Sequence, residues 1–327
     1  MKRILVAVIF LAIIASLFLL SLQTGIINLD SSLLNLIGKR TGIDAITVWE
    51  VRAPRALGAI VIGSALGIAG VIAQSIFRNP LAEPTLIGLT SGASLGSVVA
   101  ISTGAAVYGS TLNALFAILF SALAGLSIYL LAPANGLGFL ITGIAGSAVF
   151  ISIAGLLITI SPNPGIQNLS FWNFGSLAML NNSTLKVISP LIAIGIGGAY
   201  FVTRKLDIYS LGENSAHYLG VNSGRVRLIA IGVLALLVGP AVSSVGAIAF
   251  LGLLVPHVVR LLIGPSHKNL FFFSALLGAA LLLGADLLAR AAFAPHEIPL
   301  GLLTSIIGAP VLIILLKIRV EQWVSND

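Results

Sequence analysis

The chain has 327 residues, of which 58% are hydrophobic and 8% charged; its net charge is +7 and its mean hydropathy +1.11. Soluble domains carry roughly 25% charged residues, so this composition excludes a water-soluble fold and points to a protein solvated by lipid, where each span needs ~20 apolar residues. The absence of cysteine excludes a disulfide framework and thiolate chemistry.

Met1-Lys2-Arg3 opens the chain, and the apolar run from Ile4 to Leu22 is longer than a signal-peptide core and lacks an A-x-A site, so it is predicted as the first span. Ten spans are predicted, over about 4–23, 56–77, 85–104, 109–131, 138–160, 186–203, 228–247, 248–263, 271–291 and 299–317. Gly239-Pro240 and Gly246 interrupt the stretch that holds the seventh and eighth. Backbone groups in lipid must be satisfied within their own segment, so the spans are helices and the fold is all-α.

Lys and Arg set the orientation. With the N-terminus cytoplasmic, the inside gaps hold Lys2, Arg3, Arg78, Arg204, Lys205, Arg225, Arg227, Arg260, Lys268, Lys317 and Arg319. The outside gaps hold Lys39, Arg40, Arg52, Arg55, Lys186 and Arg290. The excess inside favours this orientation, and an even number of spans puts both termini in the cytoplasm. Residues 1–327 form a single transmembrane domain, with the largest inside gap at 204–227. Gly63 and Gly67, Gly88 and Gly92, and Gly92 and Gly96 have the spacing that lets helix backbones approach closely, and tight packing is their expected role.

No G-x-x-x-x-G-K-[ST] phosphate cradle and no H-E-x-x-H zinc motif occurs, and His217, His257, His267 and His296 lack metal-ligand spacing. An intramembrane enzyme has no visible catalytic pair. An ion-coupled carrier would hold ionisable residues at mid-depth. The best candidate, Asp286 with Arg290 at i, i+4 near an outer end, is read as a self-neutralising pair.

Six stretches stand out. Arg52-Ala-Pro-Arg55 lies at the outer end of the second span and Arg78-Asn-Pro-Leu-Ala-Glu-Pro84 at its inner end, where two prolines make a stiff non-helical turn. Leu86-Ile-Gly-Leu-Thr-Ser-Gly-Ala-Ser94 then begins a small-residue helix. Leu211 to Arg225 holds an apolar stripe at Leu211, Ala216 and Leu219, with Gly220 placed to stop a short helix. Gly246 to Arg260 and Glu297 to Pro310 complete the set.

In this order, from about Val51 to Leu316, these stretches resemble the permease subunits of bacterial ABC importers for iron-siderophores, haem and vitamin B12. The resemblance implies a type II importer permease fold in the cell inner membrane. It also implies a translocation path between two permease subunits, identical or paralogous. A cytosolic ATPase dimer would dock beneath and an extracytoplasmic binding protein above. ATP would be bound by the ATPase partners, the chain would need no cofactor of its own, and nucleic acid would not be a partner. The chain would then be a transport subunit rather than an enzyme.

The same resemblance assigns residues. Glu213, Ala216, Leu219, Gly220 and Arg225 fall in the ATPase-coupling segment, and a short amphipathic helix suits docking in a groove. Arg52, Arg55 and Arg290 fall at positions that meet acidic residues of the binding protein, a task suited to the bidentate guanidinium. Asn79 and Leu81, with Asn135 and Gly136, mark the cytoplasmic constrictions. Ala-Asn-Gly-Leu-Gly around Asn135 is smaller and less polar than the hydroxyl-bearing version of the cobalamin branch. Phe171, Trp172 and Phe174 fall near the path, and His257 and Arg260 at the inner surface with a packing and ATPase-facing role. Iron-siderophore is the cargo expected from the breadth of that branch. Haem, cobalamin and an oxyanion such as molybdate stay open, and an ion-coupled secondary transporter is the rival reading.

Overall fold

The computed structural model describes residues 2–25, 41–80, 82–85, 87–132, 136–161, 174–292 and 296–324. Helix α1 spans Lys2–Gln23. The chain resumes through a helical turn, Ile43–Ile46, and a π-helical segment, Thr47–Arg52, that lead into α2, Ala53–Ile76. There follow α3 (Leu89–Ser102), α4 (Thr111–Leu131), α5 (Gly136–Ile160), α6 (Asn182–Tyr209), the short α7 (Glu213–Tyr218), α8 (Ser223–Val245), α9 (Leu251–Ile263), α10 (His267–Ala291) and α11 (Leu300–Val324). Each predicted span overlaps a helix, and no strand occurs among the described residues. Among the described residues seven helices are long and apolar enough to cross a membrane, while α3, α9 and the portion Leu300–Val311 of α11 are shorter apolar helices.

Helix α2 is the axis of the bundle. Pro54 sits in its first turn, where a missing N–H costs nothing. A Cβ on Gly63 would collide with the backbone of Gly278, and one on Gly67 with the carbonyl of Ser274, so α2 and α10 touch backbone to backbone. Gly92 and Gly96 do the same for α3 against the Phe120 and Phe116 carbonyls of α4. Small residues thus supply the close approach that drives helix association where the hydrophobic effect cannot. The outer helices expose Ile4, Leu5, Leu130, Leu131, Ile151 and Ile160. In water that surface would aggregate, whereas in lipid it is the natural one.

One interruption falls where the sequence suggests and the other does not. Helix α8 runs through Pro240, and Gly239 is the point where it meets the Ile118 backbone of α4. The break comes at Gly246 (φ 76°) and extends to Phe250 (φ 66°). Its neighbours are satisfied internally: the Ser176 N–H donates to the Val245 carbonyl at 2.7 Å. The first N–H groups of α11, on Leu300 and Gly301, donate to the Gly175 and Phe174 carbonyls at 2.8 Å each. Irregular backbone persists within a membrane protein only when bonded in this way.

Candidate functional site

The residues expected from the sequence to be functional gather at the start of α2, the end expected to face outward, along the loop after α2, and around α7 at the opposite, expected inner, end. At the outer end, Arg55 Nε donates to Asp286 Oδ1 at 2.8 Å, and its two Nη atoms pair with Glu297 at 2.9 and 3.0 Å. Arg290 Nε lies 3.2 Å from Asp286 Oδ2 as an ion pair without hydrogen-bond alignment. Arg290 also donates to Ser21 Oγ and the Thr24 carbonyl, and Arg52 to the Leu22 and Gln23 carbonyls. These side chains staple the end of α1 to the start of α2 and the end of α10. The i, i+4 pairing of Asp286 with Arg290 is as expected, but Arg55 and Glu297 complete it.

This arrangement changes how the outer arginines must be understood. Arg52 is 4% exposed and Arg55 6%, and all three guanidinium groups are engaged within the chain. Within the chain they tie the end of α1 to α2 and α10.

The last turn of α2 closes in a Schellman motif: Asn79 N–H donates to the Gln74 carbonyl and Arg78 N–H to the Ser75 carbonyl. The loop then folds back into the bundle. Pro84 and Glu83 lie against Gly252, which also abuts the Leu66 carbonyl, ten residues and roughly 15 Å above the end of α2. Glu83 is 4% exposed, with the Phe250 N–H and the Thr85 side chain beside its carboxyl group. A buried acidic side chain therefore sits against the start of α9. The sequence, which places Glu83 in a surface loop, conceals it.

Of the expected constriction residues, Asn79 is half-buried at the start of this loop and Gly136 is the first residue of α5. Leu81 and Asn135 lie outside the described residues, as do Phe171 and Trp172. The rings of Phe77 and Phe139 stand 4.5 Å apart and join the two segments expected to form the constriction. Phe174 is half exposed, and its carbonyl caps α11.

On the inner face, Gly220 (φ 76°) ends α7, with the Val221 N–H donating to the Ala216 carbonyl at 2.8 Å. The predicted stripe divides. Ala216 is fully buried and anchors α7 to the chain, whereas Leu211, Leu219 and Tyr218 are exposed, the last at 88%. Glu213 begins α7, its side chain lying outside the described residues. Arg225 is exposed, and its N–H donates to Asn222 Oδ1 at the cap of α8. His257 is buried, in keeping with a packing role, and Arg260 donates to Gln74 Oε1.

Two features resemble hydrolytic machinery and are not. Gly92-Ala93-Ser94-Leu95-Gly96 has the spacing of a nucleophile elbow, which sequence reading overlooked, but Ser94 is buried within α3 and not on a strand-to-helix turn. Asp207 Oδ1 lies 2.6 Å from His267 Nδ1, and His267 Nε2 lies 2.6 Å from Ser75 Oγ. Ser75 is buried in the last turn of α2, where its hydroxyl also lies 2.6 Å from the Val71 carbonyl, so it ties helix ends together and is not open to a substrate as a nucleophile must be. No group of residues suited to a metal occurs among the described residues.

A model of the FecCD transport family matches residues 8–318. Over 282 residues the chain is 39% identical to the hemin transport system permease protein HmuU of Yersinia pestis, across 84% of each. It is 36% identical to the ferric enterobactin transport system permease protein FepD of Escherichia coli, across 84% of this chain and 83% of that one. A solved structure described as an inward-facing conformation of a metal-chelate type ABC transporter matches with a TM-score of 0.82 at 30% identity, across 94% of this chain and 97% of its own. The family match runs from the first helix to the last and includes both the outer ion cluster and the inner α7 segment: the chain belongs to the FecCD transport family.

Proposed function

We propose that this multi-pass protein is the permease subunit of a binding-protein-dependent importer in the cell inner membrane, driven by separate ATPase subunits and carrying an iron chelate. Two permease subunits would enclose the path, and both termini would be cytoplasmic. The observation that carries this reading is α7: a short helix anchored through Ala216, ended by Gly220, and displaying Leu211, Tyr218 and Leu219 without cover from the rest of the chain. An exposed aromatic-aliphatic knob on a basic face is suited to a groove on a partner.

The cargo proposal is a ferric siderophore, supported by the ferric enterobactin relative. Hemin is the second reading, favoured by the 39% identical relative. The test is reconstitution with the ATPase and binding protein of the same transport system, followed by uptake of ferric siderophore, hemin and cobalamin. ATP-dependent uptake of the siderophore supports the reading, hemin uptake alone moves it to the second, and transport with no ATPase present overturns it.

A further inference from the structure

Tyr209 is the last residue of α6, four positions before the first residue of α7, and it is fully buried. Its ring is held between two arginines. The Arg78 Cζ lies 4.3 Å from the ring centroid and that of Arg227 5.6 Å. Arg227 Nε donates to Tyr209 Oη at 2.7 Å, and Arg78 Nη2 to the Tyr209 carbonyl at 3.1 Å. Two residues earlier, Asp207 accepts from both the backbone N–H and the ring Nδ1 of His267, the first residue of α10. The same His267 meets Ser75 in the last turn of α2. A three-residue stretch of α6 thus grips the inner ends of α2, α8 and α10.

Arg78 occupies its place against local preference. It stands at the position after the cap of α2 with φ 46°, where glycine is usual. Left-handed backbone is strained for a residue that carries a Cβ. Neither a helix stop nor the loop that follows calls for arginine there, but the cation over the Tyr209 ring does.

What the grip holds is a lever. Helices α2 and α10 touch backbone to backbone at Gly63 and Gly278, so displacement of one is resisted by the other. Their far ends carry Arg55 and Asp286 of the outer cluster. Resting on the reading of α7 as the ATPase contact, we infer that Arg78, Tyr209 and Arg227, with Asp207 and His267, form the joint that transmits displacement of α7 to the α2–α10 pair. These are positioning residues, and none of them touches cargo or nucleotide in this role.

The experiment uses the reconstituted importer and reads ATP hydrolysis and uptake separately. Arg78→Gly removes the guanidinium while relieving the backbone, so the variant is expected to fold. Tyr209→Phe keeps the ring and removes the hydroxyl that accepts from Arg227 and donates to the Ile76 carbonyl. The expected result for Arg78→Gly is normal recovery of the complex, ATPase activity within about twofold of the parent, and a ratio of uptake to hydrolysis reduced by about tenfold or more, within the range of site-to-site coupling. Tyr209→Phe should lower the same ratio by a smaller factor, with the double variant no worse than Arg78→Gly alone, as for residues of one joint. An unchanged ratio in Arg78→Gly overturns the inference, as does a loss of uptake matched by an equal loss of assembled complex. Failure of the parent chain to recruit an ATPase overturns the importer reading itself, and is seen before any variant is measured.

Discussion

Arg55 and Asp286, 231 positions apart in the chain, meet at 2.8 Å, with Asp286 wholly shielded from solvent. The aspartate is held between two arginines, and Glu297 takes the rest of the Arg55 fork. Removing one partner of a buried ion pair is far more damaging than replacing the whole set. Asp286→Ala is therefore expected to destabilise the protein by about 3–5 kcal/mol, read as a fall in unfolding temperature in detergent. Asp286→Asn, which keeps an acceptor for Arg55, should cost less. Equal stability of both variants with the parent would show the cluster to be idle.

The outer arginines give a second test. Reversal of Arg52 and Arg55 to Glu tests the docking expectation, but each also loses bonds inside the chain. Glu297→Gln weakens one partner of Arg55 while leaving Asp286 in place. If docking proceeds by exchange of partners, this variant should bind its extracytoplasmic binding protein more tightly than the parent, whereas unchanged docking with lower stability marks a purely structural cluster.

Gly63 and Gly278 make a packing prediction with a built-in control. Gly63→Val places a branched side chain against the Gly278 backbone and should cost several times the ~1–3 kcal/mol typical of overpacking, because backbone cannot move aside as a side chain can. Gly155→Ala, which meets nothing within 4 Å on α5, should leave stability within about 0.5 kcal/mol. Comparable losses at the two sites would refute the close approach of α2 and α10.

Glu83 is buried against the start of α9. Glu83→Ala removes the polar neighbour of the Phe250 N–H, at a cost of about 1–3 kcal/mol. Glu83→Gln keeps the shape and a carbonyl oxygen there without an ionisable group in a buried place, so it should be no less stable than the parent. A thermal melt that ranks glutamine below alanine would contradict this placement.

On α7, Tyr218→Asp with Leu219→Asp changes only exposed side chains. The isolated chain should melt within about 0.5 kcal/mol of the parent, while co-purification of the ATPase is lost. Gly220→Pro imposes a negative φ where the backbone needs +76°, so it should disturb α7 itself and weaken both.

The sequence by itself determined the solvent, the all-α class and the ten helix positions, because span length and hydropathy act locally and lipid permits few alternatives. It also marked Gly220 as a helix stop and the Gly63–Gly67 pair as a packing face, since both depend on backbone geometry within a few residues. Only the tertiary structure decided what the charged residues do. Charge counting placed Arg52, Arg55 and Arg290 together on one side and Arg78 and Arg227 on the other, and the structure keeps those groupings. It could not show that Arg55 is consumed by Asp286 and Glu297, that Glu83 turns inward from a loop, or that Tyr209 is gripped from two helices. Each of those depends on which helices become neighbours, and that is fixed by backbone contacts such as Gly63 on Gly278, between residues more than two hundred positions apart.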